Sequence, residues 1–480
     1  MEEEGISSDL GFVHQTIHVS AQLLGFSDST LRFFISVLIG YLLAFIPRNL
    51  LHHAPSNIQH LFFIAVGLGL SYFNFGMQTL HFVITVLFNY LLLAVAGGSV
   101  TSVVLSFLWN MIYFLIGTVS ISDGTHDVLW DTPHCIMVLK VIGVALDLYD
   151  GQKSKDKLSA EQQQHYLTRA PSLLEMGGFC LFFGGFLAGP QFSMRLYLDY
   201  TNNRLIPEWE QKHPSNARYS INRFCFGVIY VCVGVSLNLM MPDAHFMTEE
   251  FTSKNLLHKL FTVYLWGTSY RARYGGVFLL AEGASIMTGI AYSGLDTEGK
   301  AEWKGSANMN VYGLETAGTF RGLVSNYNTN TSKWAGRCVY KRLKFLGNRQ
   351  LSQFVTLMFL ALWHGVYIGY FHCFLFQLFT LTFDEQWLKV WRKLGFGSVM
   401  SNPVIAFLLT AICNVFVMTS FSYALISFQL SKWGLFTQVY ASMYYIGHVW
   451  FIGWMLLFPL VLQPMLHSNK PKATGDSKAQ

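Results

Sequence analysis

The sequence predicts an all-α, polytopic membrane protein of about 10–12 membrane-spanning helices. Three observations carry that prediction. Charged residues make up 12% of the 480-residue chain, against about 25% in a soluble globular domain. Hydrophobic residues make up 52%, aromatics 16%, and the mean hydropathy is +0.36. The apolar residues are gathered into runs of the length that a hydrocarbon core about 30 Å thick demands, about 20 residues per helix.

In chain order, the runs at 31–47, 58–75, 79–97, 100–121, 134–149, 173–192, 223–241 and 403–428 each suit one helix. Those at 257–292, 351–382 and 434–464 are long enough for two short or tilted helices apiece. We read 1–30 as an N-terminal segment, 31–466 as one multi-pass domain without internal repeats, and 467–480 as a polar tail. The opening "MEEEGISSDLGF" is acidic and lacks the basic start of a cleaved signal, so the first apolar run is expected to be a retained membrane signal. The seven cysteines are scattered, with no CxxC pair and no Cys/His cluster, so neither a disulfide framework nor a metal site is expected. The net charge of +5 lies mostly in loops. It points to an anionic lipid surface or a phosphate-bearing ligand and away from nucleic acid.

Two stretches break a plain bundle. "EMGGFCLFFGGFLAGPQFSM" (175–194) carries five glycines and Pro190. Small residues four apart allow close helix packing, whereas an irregular segment is tolerated only where protein or water covers its backbone. The insert Ser293–Gln350 is too polar to span lipid and too aromatic to be a disordered tail. From Lys333 to Arg349 it has six basic residues and no acidic one. Lys333, Arg337, Lys341 and Lys344 fall near one helical face, the pattern of a basic amphipathic helix at a membrane interface. Such a face suits headgroups or a phosphate-rich cosubstrate.

Ionisable groups at membrane depth are costly and therefore candidates for function. His364, His372 and His448 all sit in apolar runs, and depth alone does not separate them. Lys140 and Asp147, seven apart on one helical face, and Glu175 and Glu282 are expected to form ion pairs or interhelical hydrogen bonds.

"ALWHGVYIGY" (361–370), preceded by "SNYNTNTSKWAGRCVYKRLKFLGN" (325–348), resembles the signature of the membrane-bound O-acyltransferases. The resemblance is to their lysophosphatidylcholine acyltransferase branch, supported by "SYFNFGMQ", "TPHCIMVLK", "PSLLEMGGF", "GPQFSM" and "ANMNVYGLET". It implies a fold with an internal substrate tunnel in the endoplasmic reticulum membrane. It also implies transfer of a fatty acyl chain, polyunsaturated by preference, from acyl-CoA to the sn-2 hydroxyl of lysophosphatidylcholine, lysophosphatidylethanolamine or lysophosphatidylserine. Acyl-CoA is then a cosubstrate, with no permanently bound cofactor. The family histidine corresponds to His364. The family asparagine, which follows an aromatic and precedes a tryptophan by five or six residues, corresponds to Asn328, six before Trp334 and after Tyr327. The resemblance gives His364 the role of general base, since histidine has an ordinary pKa of about 6.5. It leaves Asn328 to orient the reactants or to donate to the oxyanion. Trp363, Tyr367, Gln191, Phe192, Trp334 and Glu315 are expected along the tunnel. Lys333, Arg337, Lys341, Arg342 and Lys344 are expected at CoA phosphates or the membrane surface.

His126 and Asp131 also fit the H-x4-D spelling of soluble-type glycerolipid acyltransferases, but no phosphate-binding motif follows, so they are not taken as a site. Asn330-Thr331-Ser332 spells a glycosylation sequon that a cytosolic insert leaves unused. The tail "SNKPKATGDSKAQ" lacks the dilysine retrieval ending of some relatives.

Overall fold

A computed structural model gives the architecture. It describes residues 8–24, 26–121, 128–207, 215–395, 397 and 399–468. The long helices are α1 (Ser8–Leu24), α2 (Asp28–Leu43), α3 (Ser56–Phe75), α4 (Leu80–Ala96), α5 (Val100–Ile121), α6 (Asp131–Asp150), α7 (Asn216–Met240), α8 (Leu256–Thr288), α9 (Arg349–His364), α10 (Ile368–Lys393), α11 (Pro403–Leu430), α12 (Trp433–Ser442) and α13 (Ile446–Leu457). Seven stretches among the described residues are long and apolar enough to cross a membrane. The only strands described are Gly294–Leu295 and Ala301–Glu302, an antiparallel pair in the polar insert. His126 and the tail from 469 onward lie outside the described residues.

Local chemistry sets the ends of these helices. Ser27, Asn255, Asn348 and Asn402 accept backbone N–H groups at the starts of α2, α8, α9 and α11, satisfying donors that a helix start leaves unpaired. Pro403 takes the first position of α11, where a missing N–H is harmless.

Three expectations are corrected. The 257–292 run is one helix of 33 residues, α8, rather than two. No proline interrupts it, and it stops only at Gly289, whose φ of 96° suits glycine. At 1.5 Å per residue it is about 50 Å long, more than a bilayer core is thick. The 173–192 run is not a span. It forms a helix at Leu173–Cys180, one turn at Phe183–Phe186 and extended chain through Pro190, buried almost throughout. Its glycines allow that burial: Gly177 packs on Ile64 and Gly178 on His60 and Tyr197. The basic stretch is not one amphipathic helix. An α-helix ends at Cys338 and a 3-10 segment covers Tyr340–Leu346, so the expected face is broken and Arg337 turns inward. The 351–382 run does split in two, and 434–464 is divided by the break between α12 and α13.

The helix α6 is the axis of the interior, buried on nearly every side from Pro133 to Leu148. One apolar core gathers α2–α4 and the 176–200 segment on one flank, and a second gathers α8, α10, α11 and α13 on the other. A smaller cluster joins α5 and α6 to Trp334, Phe359 and Trp363.

Candidate functional site

Two cavities share walls. The first, of 460 Å³, is lined by residues from α6, α8, α9, α10 and α11 and by the chain from Tyr327 to Ser332. The second, of 430 Å³, is lined by α6 one to two turns further on, by the irregular segment around Gln191, and by the other side of the helix Thr329–Cys338. Along α6, Asp131, Thr132 and Cys135 face the first cavity, while Lys140, Gly143 and Asp147 face the second.

His364 is the last residue of α9, and the next residue, Gly365, adopts φ 130°. A side chain is strained there, so the glycine lets the chain leave the helix at the histidine. The imidazole stands among aromatic rings: Trp363 at 4.6 Å, Phe428 at 4.9 Å and Phe374 at 5.5 Å between centroids. Among the described residues nothing hydrogen-bonds the ring, which faces the cavity. Trp363 is fixed by a 2.9 Å bond from Nε1 to the Cys135 carbonyl.

Asn328 lines the same cavity. It holds a left-handed conformation, φ 49° and ψ 48°, between the helix Phe320–Asn326 and the helix Thr329–Cys338, a conformation asparagine tolerates better than most residues. The flanking chain is strapped in place. Asn310 N donates to Asn326 O (3.0 Å), Thr329 N to Asn308 O (2.9 Å) and Asn330 N to Asn308 Oδ1 (3.0 Å). Tyr327 OH donates to the Arg271 carbonyl (3.1 Å). Asn308 N in turn donates to buried Glu282, which pairs with Arg223 at 2.8 Å. "ANMNVYGLET" is thus the strap that holds the asparagine turn. The neighbouring asparagines are committed elsewhere: Asn326 bonds Asn310, and Asn330 bonds the Ser306 carbonyl.

The second cavity is lined by charged side chains of both signs among apolar ones. Lys140 Nζ donates to Phe179 O (3.1 Å) and lies over the Phe179 and Phe192 rings. Gln191 Nε2 donates to the Ile136 carbonyl (2.6 Å). Arg337 pairs with Asp147, both buried. Trp334 stacks on Phe359 and fits because Gly143 has no side chain; a Cβ there would lie 3.2 Å from the indole nitrogen. At the rim, burial and then the Arg337 charge push the His165 pKa down to about 4.

Of the residues expected from the sequence, His364, Asn328 and Trp363 meet in the first cavity, and Gln191, Phe192, Trp334, Lys333 and Arg337 in the second. The remainder line neither. Tyr367 caps α10, and Tyr370 takes the cavity position instead. Glu315 sits behind the wall, accepting from Tyr230 OH (2.6 Å) and Arg271 (3.4 Å). Lys341 pairs with Glu161 and Arg342 with Asp150, so with Arg337 three of the five basic residues are held by carboxylates. His372 and His448 bond each other at 2.9 Å within a network that includes Ser427 and Tyr423, a structural use of both. Arg271 was missed. Its signal was present, an arginine midway along an apolar run.

The family model of the membrane-bound O-acyltransferases matches residues 115–429, which include both cavity-lining turns around Asn328 and His364. The chain belongs to the membrane-bound O-acyltransferase family. It is similar to lysophospholipid acyltransferase 5 of Homo sapiens, 34% identical over 462 residues that cover 95% of this chain and 94% of the human one. It is also similar to lysophospholipid acyltransferase 5 of Drosophila melanogaster, 32% identical over 95% of this chain and 92% of the relative. A more distant similarity is to lysophospholipid acyltransferase 1 of Arabidopsis thaliana, 26% identical over 90% and 94%. This membrane-bound O-acyltransferase is thus a multi-pass membrane protein matched along nearly its whole length.

Proposed function

We propose that the protein transfers a fatty acyl chain from acyl-CoA to the free sn-2 hydroxyl of a lysophospholipid, lysophosphatidylcholine first among them. The observation that carries this reading is that His364 and Asn328 line one cavity inside a bundle of apolar helices, with the imidazole free of hydrogen bonds among the described residues. The names of the full-length relatives support the substrate class.

On this reading the lysolipid hydroxyl attacks the thioester carbonyl while His364 accepts its proton. The carbonyl oxygen gains charge, and the Asn328 amide donates to it or orients the attacking group. Collapse of the tetrahedral adduct breaks the C–S bond, and the histidine returns the proton to the departing CoA thiolate. The donor is already activated, so the protein need form no acyl intermediate of its own. The aromatic walls of the first cavity suit acyl chains. Lys140 and Lys333 of the second, which pair with no carboxylate among the described residues, suit the phosphates of CoA. Polyunsaturated donors, lysophosphatidylethanolamine and lysophosphatidylserine as further acceptors, and the endoplasmic reticulum membrane belong to the same proposal.

The test is purified protein in lipid nanodiscs with radiolabelled acyl-CoA and lysophosphatidylcholine. Labelled phosphatidylcholine from the wild type, and little from a well-expressed His364→Ala variant, is the expected result. Unchanged turnover in that variant refutes the mechanism.

A further inference from the structure

Among the described residues that line the first cavity, Arg271 is the one Lys or Arg, and the reaction chemistry does not use it. Arg271 projects from α8 into the cavity wall and is 4% exposed. A guanidinium offers five donors, and a buried one is ordinarily met by a carboxylate in good geometry. Here the contacts are poor. Nη2 donates to Glu315 Oε2 at 3.4 Å, a long bond, and Nη1 to the Met418 sulfur at 3.2 Å, a weak acceptor. Glu315 is itself 41% exposed, and its other oxygen accepts a 2.6 Å bond from Tyr230.

Further along the same wall, Gln377 and Gln429 line the cavity, and their amides make no hydrogen bond among the described residues. The remaining wall is largely aromatic and aliphatic. A buried, weakly matched guanidinium and, further along the wall, two amides without hydrogen bonds among the described residues suit an amphiphile with a single phosphate in a largely apolar chamber. CoA, with three phosphates, is matched better by Lys140 and Lys333 of the other cavity, neither of which pairs with a carboxylate among the described residues.

We propose that Arg271 binds the phosphodiester of the acceptor lysophospholipid, so that its sn-2 hydroxyl is held toward His364; this rests on the reading given under Proposed function. Arg271 is then a substrate-binding residue of the first cavity, and Glu315 competes with the lipid phosphate for the guanidinium from behind the wall. Phosphate on the acceptor lipid and phosphate on CoA are the two sources of this chemistry, and separate saturation curves tell them apart.

The experiment measures KM for lysophosphatidylcholine and for acyl-CoA with the full-length protein in nanodiscs. R271Q is expected to raise the lysophosphatidylcholine KM by about tenfold to a hundredfold, the loss of a hydrogen-bonded charge contact, with the acyl-CoA KM within about twofold. R271K keeps the charge but not the fork of donors and is expected to raise the same KM several-fold, so the question stays decidable if R271Q does not fold. E315Q is expected to leave that KM unchanged or lower it, since the guanidinium gains freedom. The assignment is overturned by an unchanged lysophosphatidylcholine KM in R271K, by a rise in the acyl-CoA KM instead, or by a rise in E315Q equal to that in R271Q. Wild-type protein that makes no phosphatidylcholine refutes the parent reading, whereas active wild type with any of these three outcomes refutes only the role of Arg271.

Discussion

The Arg337–Asp147 pair allows a decisive perturbation. Its side chains are 8% and 2% exposed, and it ties the helix Thr329–Cys338 to α6 in the wall of the second cavity. Asp147→Asn leaves the guanidinium buried without its carboxylate, and Arg337→Met leaves the carboxylate buried without its cation. Removing one partner of a buried pair costs about 3–5 kcal/mol, whereas replacing both with apolar groups is often neutral. One kcal/mol moves a melting midpoint by about 2–4 °C in chains of 150–250 residues and by less in longer ones. Each single variant is therefore expected to melt about 3–5 °C lower, and Asp147→Leu with Arg337→Met to recover most of the loss. The assay is intrinsic-fluorescence melting in detergent, run as a double-mutant cycle. Single variants melting within about 2 °C of the wild type, with a selective rise in the acyl-CoA KM, would refute the reasoning. They would make Arg337 a phosphate ligand rather than a strut.

Three other perturbations have defined outcomes. His364→Asn is expected to lower kcat by about 10²–10⁴-fold with the melting midpoint unchanged, as read by initial rates beside a melt. Asn328→Gly keeps access to the left-handed turn and removes the amide, so it should retain expression and lose turnover; Asn328→Ala should lose stability as well, by about 1–2 kcal/mol. His165 carries a folded pKa of about 4 against about 6.5 unfolded. Its contribution is therefore complete above pH 6.5 and is lost as the pH falls toward 4; His165→Gln should flatten that acid limb in melts run across the range.

Much of this architecture was legible because membrane helices announce themselves. With no water in the bilayer core, backbone groups must pair within a helix, and the runs that became α3, α4, α5 and α11 were readable from composition alone. The misreadings have physical reasons. The 173–192 run is as apolar as a span, but its glycines let neighbouring side chains cover a backbone that lipid could not. The 257–292 run stays one helix because nothing in it breaks a hydrogen-bond ladder. At the site, His364 was separated from His372 and His448 by the family likeness of its W-H-G motif alone, since depth in an apolar run does not distinguish the three. Asn328 was found only through family likeness, since its strap runs through Asn308 and Asn310, some twenty residues earlier. The inward turn of Arg337 depends on a carboxylate 190 positions away in sequence, which no local pattern reveals. Tyr367 and Tyr370 are three apart, and a single helix start decides which of them faces the chamber.

The helix Thr329–Cys338 shows Thr331 and Ser332 to one chamber and Asn330, Lys333 and Trp334 to the other. On the proposed reading, a partition one helix thick would keep the CoA phosphates in the charged chamber and the reacting carbon in the aromatic one. Loosening it, for instance by shrinking Trp334, would admit water to the thioester. The enzyme would then drift from a transferase toward a thioesterase, discarding acyl groups without joining them to lipid.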